Sequence, residues 1–142
     1  MTLAPNILLR TCDVSRKDNM IIIYFKNDIT LEVEDINNIH IATTQLCNGE
    51  CLPYLVIPGI RMSVSKEGRQ VNIMEQRSKN TLCEAMVINN LATRLAARLY
   101  YRFNKTPFPV RHFETEQMAI KWLNSQRNND NEGTELHTRS MV

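Results

Sequence analysis

Two serines near the predicted start of a helix are the first residues whose position could serve chemistry. Ser63 and Ser65 follow a turn at Pro58-Gly59 and precede Lys66. The amides at a helix N-terminus favour a negative group, so a phosphate on either serine would be stabilised there and would add about two negative charges. We expect these two serines and Lys66 to form a contact for a partner. Plain N-capping explains the same serines, because serine is a favoured N-cap.

Three arginines form the second candidate surface. Arg94, Arg98 and Arg102 recur every four residues within a predicted helix, so their side chains form one stripe beside its apolar face. The stripe is suited to an acidic partner or a phospholipid head group. A solvated helix face has the same pattern, and that alternative stays open.

Other patterns give little support for catalysis, metal binding or a cofactor. His40, Cys47 and Cys51 lack an evident fourth ligand, whereas structural zinc needs four. The chain has only four glycines, too few for a clustered phosphate-binding loop. No nucleophile, base and orienting group occur together. We therefore predict a protein that is no enzyme and holds neither metal nor cofactor.

The elements that position these residues are clearest between Thr81 and Asn124. This segment reads strand, helix, strand, helix, and a helix of about 14 residues between two short apolar runs is typical of a parallel βαβ unit. Leu91, Leu95 and Leu99 share one apolar arc of that helix. The arc predicts that the helix lies on the sheet.

Earlier in the chain the pattern predicts a hairpin, a helix and a further strand. The hairpin pairs Ile7 to Asp13 with Met20 to Phe25 through a loop, SRKDN. A helix starts after Asn27 or Asp28 and ends at Asn48-Gly49. The strand Leu52 to Ile57 precedes the turn and the short polar helix that carries the serines.

Composition places the chain among ordinary globular proteins. Its 142 residues suit one domain, and a net charge of +2 gives no reason to expect nucleic acid as a partner. The longest apolar stretch, Met20 to Phe25, is too short to cross a bilayer. The first residues lack the features of an export signal, so the expected location is the cytoplasm.

The last part of the chain differs in composition from the rest. From Gln126 onward it is poor in apolar residues and rich in Asn, Asp and Glu, which gives little burial to offset the entropy of ordering. We predict one domain over residues 1–125 and a disordered tail over 126–142.

The element order resembles the STAS fold of anti-sigma factor antagonists. The stretches VSKEGRQ, AMVINNLATRLAARLYYRFNKTPFPVRHF and ETEQMAIKWL are similar to small bacterial STAS-like proteins of unknown function. These proteins are common in Bacteroidetes and are related to STAS and CRAL-TRIO lipid-transfer domains. The resemblance covers about Asp13 to Asn124.

This resemblance implies an α/β fold: a mixed, mainly parallel sheet of four or five strands with about four helices packed on it. In the antagonists, a partner kinase phosphorylates a serine at the start of the second helix. Ser63 or Ser65 stands in the corresponding region, although Ser-Val-Ser-Lys-Glu-Gly replaces the Asp-Ser-Ser-Gly type of sequence found there.

Two functions follow as expectations. The first is a non-enzymatic STAS-like module that binds an unidentified protein, with regulation through the serine at the start of the second helix. The alternative is a domain for a small apolar ligand or lipid, in which the arginine stripe forms the basic mouth of an apolar pocket. Unpaired outer strands and Tyr100-Tyr101 are compatible with a homodimer.

Overall fold

The computed structural model describes residues 6–140, without the side chains of Phe103 and residues 130–140. Its strands are β1 (Asn6–Leu8), β2 (Cys12–Lys17), β3 (Met20–Phe25), β4 (Thr30–Leu31), β5 (Leu52–Ile57), β6 (Ser63–Val64), β7 (Thr81–Val87) and β8 (Val110–Phe113). Its helices are α1 (Val33–Cys47), α2 (Lys66–Arg69), α3 (Met74–Arg77), α4 (Leu91–Phe103) and α5 (Glu116–Ser140). No helix in this part of the chain is both long and apolar enough to span a membrane.

The main sheet has six strands in the order β1-β2-β3-β5-β7-β8. The first two pairings are antiparallel, and the pairings of β3 with β5, β5 with β7 and β7 with β8 are parallel. The short strands β4 and β6 form a separate parallel pair. This topology confirms the predicted mixed, mainly parallel sheet. The sheet has six strands, whereas four or five were predicted.

The additional strand comes from the N-terminal hairpin, where the prediction is wrong in detail. The chain turns after β1, with Leu9 N–H donating to Cys12 C=O at 2.9 Å, so the run from Ile7 to Asp13 is not one strand. The next turn contains only Asp18 and Asn19, with φ angles of 53° and 57°. Two successive positive φ angles are typical of the tightest hairpin turns, and Asp and Asn tolerate them. The predicted loop SRKDN is therefore mostly strand β2.

Helix α1 confirms the predicted helix but begins later than expected. Its N-cap is Glu32, which forms a reciprocal capping box with Asp35. The predicted cap Asp28 instead has a φ of 57° and precedes strand β4. The helix ends at Asn48, in the left-handed conformation that asparagine accepts.

Helix α5 packs closely on one face of the sheet. Ala119 and Leu123 are fully buried in a cluster with Cys83 and Ala85 of β7. The small side chains on β7 let the helix approach the strand, so that face has a continuous apolar core.

Helix α5 also continues to Ser140, whereas the sequence predicts a disordered tail from Gln126. Beyond that point Arg127 donates a hydrogen bond to the carbonyl of Asp18 at 2.9 Å and another to Asn124 Oδ1 at 2.6 Å. The first bond ties the helix to the β2-β3 turn, and the second lies within α5 and orients the Arg127 side chain. Residues 141–142 lie outside the described residues, and the division of the chain at residue 125 stays a prediction.

Helix α4 contradicts the prediction that its leucine arc lies on the sheet. Leu91, Leu95 and Leu99 are 70%, 54% and 43% exposed. The side that faces the sheet carries Ala97 and Tyr101, and the Tyr101 hydroxyl donates to a carboxylate oxygen of Glu84 at 2.6 Å. This hydrogen bond to a buried carboxylate fixes the rotation of the helix about its own axis. The leucine arc consequently points away from the sheet.

Candidate functional site

An apolar cavity of about 240 Å³ lies between α1, α4 and the face of the sheet opposite α5. Its walls are aliphatic side chains of the sheet and of α1, together with small side chains of α4. They include Ile23, Val56 and Met86 from the sheet, Ile36 and Ile39 from α1, and Thr93, Ala96 and Ala97 from α4. The short side chains of α4 leave this space, because they do not reach the sheet.

The mouth of the cavity is marked by lining residues that are also exposed. These are Ser63 of β6 and Ala96 and Leu99 of α4. The cavity therefore opens beside the start of α2, next to the serines that the sequence singles out.

A buried ion pair closes the polar end of the cavity. Arg77 of α3 donates to Glu84 Oε1 at 2.5 Å, and Tyr101 donates to Glu84 Oε2 at 2.6 Å. The side chains of Arg77 and Glu84 are 14% and 3% exposed. The guanidinium of Arg77 also lies 5.5 Å from the ring centre of Tyr54 and 5.1 Å from that of Phe108. Such cation–π contacts add to the ion pair in fixing the position of Arg77.

Burial and charge together set the protonation of this cluster. Desolvation lowers the pKa of Arg77, but the charge and hydrogen bonding of Glu84 outweigh it and hold the pKa above its usual value. Burial, and then the Glu84 charge, raise the pKa of Tyr101 well above its usual value. Tyr101 is therefore a neutral donor and Arg77 a cation at physiological pH.

The structure separates the two predicted serines. Ser65 is the N-cap of α2, and its Oγ accepts a hydrogen bond from the Gly68 N–H at 2.9 Å. Ser63 lies in β6 and is exposed, with its Oγ 3.0 Å from Thr30 Oγ1. Lys66, the first residue of α2, is also exposed. Ser65 thus has a capping role, while Ser63 and Lys66 are accessible.

The predicted arginine stripe lies on the outer side of α4. Arg94, Arg98 and Arg102 are exposed, and none forms an ion pair with a residue that the structure describes. They lie beside the exposed leucines and do not line the cavity. The prediction that this stripe forms the basic mouth of a pocket is therefore wrong. The arginines of the cavity wall are Arg69 and Arg77, which no motif or periodicity in the sequence indicates.

The thiols and histidines do not assemble into a site. Among the described side chains, which end at residue 129, no three of His, Cys, Asp or Glu come together in a way that could hold a metal ion. Cys47 is buried with its sulfur 3.4 Å from the Tyr54 hydroxyl, while Cys51 is exposed. The absence of a cofactor and of catalysis stays a prediction.

One signal in the sequence could have indicated the cavity. Glu84 interrupts the apolar strand TLCEAMV, and a carboxylate inside a covered sheet requires a partner. The small residues Thr93 and Ala97, spaced by four, lie on the side of α4 opposite the arc that periodicity favours.

Comparison with known proteins shows a fold and a family. The chain resembles the crystal structure of an uncharacterized protein of the DUF3478 family with a SpoIIAA-like fold, from Shewanella loihica PV-4. The TM-score is 0.56 at 17% sequence identity, and the match covers 87% of this chain and 97% of that one. This likeness confirms the SpoIIAA-like, or STAS-like, fold. No curated protein matches the chain.

The narrower resemblance to small proteins of Bacteroidetes, including a bacterial origin, stays a prediction. Residues 14–127 match a protein family described as a domain of unknown function, DUF7793. Because this match spans most of the chain, the chain belongs to the DUF7793 family.

Proposed function

We propose that this chain is a non-enzymatic binding module whose cavity beneath α4 holds a small apolar ligand. The single observation that carries the proposal is the cavity of about 240 Å³ with its aliphatic walls. Binding pockets for small molecules are concave and lined mainly by apolar side chains with a few polar groups, and this cavity has that composition. A bound apolar molecule would remove the aliphatic walls from water.

The size of the cavity bounds the ligand. An apolar cavity of about 150 Å³ accommodates benzene, with six carbon atoms, so a cavity of 240 Å³ suits about ten. The cavity is too small for a helix or strand of another protein. A small molecule is therefore the occupant that the geometry favours.

Helix α4 is suited to act as the cover of the cavity. Its contacts with the rest of the domain include the Tyr101–Glu84 hydrogen bond and a bond from Asn104 Nδ2 to the carbonyl of Arg69 at 3.2 Å. Leu91 and Leu95 of its leucine arc face outward, and Leu99 lies at the mouth of the cavity. Opening of α4 would break these bonds, whereas the exposed mouth at Ser63, Ala96 and Leu99 gives a ligand a way in while α4 stays in place.

Native mass spectrometry of the protein purified from its own cells tests the proposal. We expect a bound apolar molecule that organic solvent removes. Ala96→Trp places an indole in the mouth and should abolish retention of that molecule. Ala92→Trp is the matched control, because Ala92 is exposed on the same helix but does not line the cavity. Spectra without a bound molecule, even when solutions of apolar compounds are added, would contradict the proposal.

A second function, recognition by a protein partner, is favoured by the position of Ser63. This serine is exposed on the rim of the cavity, close in sequence to the exposed Lys66. A phosphate on Ser63 would remove the hydrogen bond with Thr30 and add about two negative charges. A regulatory partner could bind these charges. Ser65 is less suited, because its Oγ already caps α2.

Phosphopeptide mapping of the natively expressed protein tests this second proposal, with phosphate expected on Ser63 and not on Ser65. Ser63→Asp should change capture of the partner, whereas Ser65→Asp keeps an N-cap and serves as the control. A Ser63 that is unmodified under every growth condition would count against a phosphorylation switch.

The remaining expectations about partners stay predictions. They include a cytoplasmic location, no binding of nucleic acid, and a homodimer through the outer strands β1 and β8. Tyr100 and Tyr101 do not support such a dimer, because both line the cavity.

A further inference from the structure

We propose that the ligand carries a single carboxylate beside its apolar part, and that Arg69 binds this carboxylate. The inference rests on the proposed function, because it names the chemical class of ligand for the same cavity. It does not involve the arginine stripe on the outer side of α4.

The first argument is the charge balance of the cavity wall. The charged side chains that line it are Arg69, Arg77 and Glu84. Both oxygens of Glu84 are already occupied, Oε1 by Arg77 and Oε2 by Tyr101. Arg77 and Glu84 cancel each other, so the wall retains one positive charge, that of Arg69. A ligand with one negative charge would neutralise the wall.

The second argument is the state of Arg69 itself. The residue is half-buried, and its backbone is fixed by bonds from its N–H to Ser65 C=O at 2.9 Å and from Asn104 Nδ2 to its own carbonyl. Its guanidinium forms no ion pair or hydrogen bond with any residue that the structure describes. A fully neutral ligand would desolvate this cation further without compensation. A carboxylate instead matches the guanidinium with two parallel hydrogen bonds.

The third argument is a neutral donor in the same wall. Tyr100 lines the cavity, and its hydroxyl has no hydrogen-bond partner among the described residues. Burial raises the pKa of Tyr100, so the phenol remains protonated and can donate to an acceptor of the ligand. Arg69 thus offers donors only and Tyr100 offers a further donor, whereas a carboxylate offers acceptors only.

Calorimetric titration of the full chain with decanoate and with decan-1-ol tests the inference. The two probes share a chain of the length that the cavity suits and differ in charge. We expect decanoate to bind at least about tenfold more tightly than the alcohol. Arg69→Gln should remove this preference by weakening decanoate more than decan-1-ol, and Arg69→Lys should retain part of it. Arg94→Gln is the control, because Arg94 lies outside the cavity.

The outcomes separate this inference from the proposed function. Equal binding of the two probes, or a preference for decanoate that survives in Arg69→Gln, would overturn the role of Arg69 and leave the cavity proposal intact. Failure of both probes to bind would overturn both proposals. Thermal unfolding of each variant shows whether the fold is retained. Tyr100→Phe provides an independent test, because it should weaken decanoate more than decan-1-ol.

Discussion

The two faces of the main sheet carry helices from the same strand-helix-strand-helix segment, yet they are packed in opposite ways. On one face α5 buries Ala119 and Leu123 completely. On the other face α4 turns its leucine arc to solvent and leaves a cavity of about 240 Å³ beneath it. That other face is well packed beneath α1, where Ile21, Ala42 and Tyr54 are buried, so the site lies only where α4 covers that face.

The cause of the difference lies in alternate residues of β7. Cys83 and Ala85 belong to the core beneath α5, where their small side chains allow close packing. Glu84 and Met86, one residue out of phase, line the cavity beneath α4. The carboxylate of Glu84 requires Arg77 and Tyr101 as partners, and these hold α4 in a rotation that excludes its leucines from the core.

Removal of the Glu84 charge should have the largest effect. Glu84→Gln leaves the nearly buried Arg77 without its counter-charge, so we expect unfolding to become easier by about 3–5 kcal/mol in urea denaturation. Glu116→Gln is a matched control, because Glu116 also accepts a tyrosine hydroxyl, that of Tyr24, but at an exposed position. A similar loss of unfolding free energy in the two variants would mean that the Arg77–Glu84 ion pair contributes no more to stability than an exposed hydrogen bond.

Truncation of one leucine on each helix tests the packing difference directly. Leu123→Ala removes a fully buried side chain of α5 and should cost about 3 kcal/mol. Leu95→Ala removes a side chain that is 54% exposed on α4 and should change stability by less than about 0.5 kcal/mol. Equal losses in urea denaturation would show that α4 packs on the sheet after all.

The outer side of α4 should give the smallest effect. If Arg94, Arg98 and Arg102 contact anionic head groups, Arg98→Gln should weaken co-sedimentation with anionic vesicles by about 1 kcal/mol. Lys121→Gln, an exposed cation on α5, should have no effect. Equal binding of the unaltered protein to neutral and anionic vesicles would instead identify the stripe as a solvated helix face.

Short-range patterns in the sequence predicted those strands and helices whose formation depends on neighbouring residues. The parallel pairing of β7 with β8 and the helix that ends at Asn48 follow from periodicity and stop signals, and both are confirmed. The hairpin was less predictable, because the Asp18-Asn19 turn depends on positive φ angles that residues other than glycine seldom adopt.

The candidate site depends on contacts between distant residues, so periodicity could not reveal it. The orientation of α4 is decided by Tyr101 and Glu84, which are 17 residues apart. Arg69 meets α4 through Asn104, which is 35 residues away. Periodicity describes the apolar side of a helix, but only the strand beneath determines whether that side is buried.

The central claim is that the cavity beneath α4 binds a small apolar molecule, and an NMR titration of the full chain with decan-1-ol tests it most directly. This probe is neutral, so its binding does not depend on a carboxylate contact with Arg69. We predict saturable shifts of backbone amides at Val56, Met86 and Ala97, which line the cavity, and unchanged amides at Ala119 and Leu123 beneath α5. Shifts spread equally over the two faces, or no saturable shift at any amide, would contradict the account.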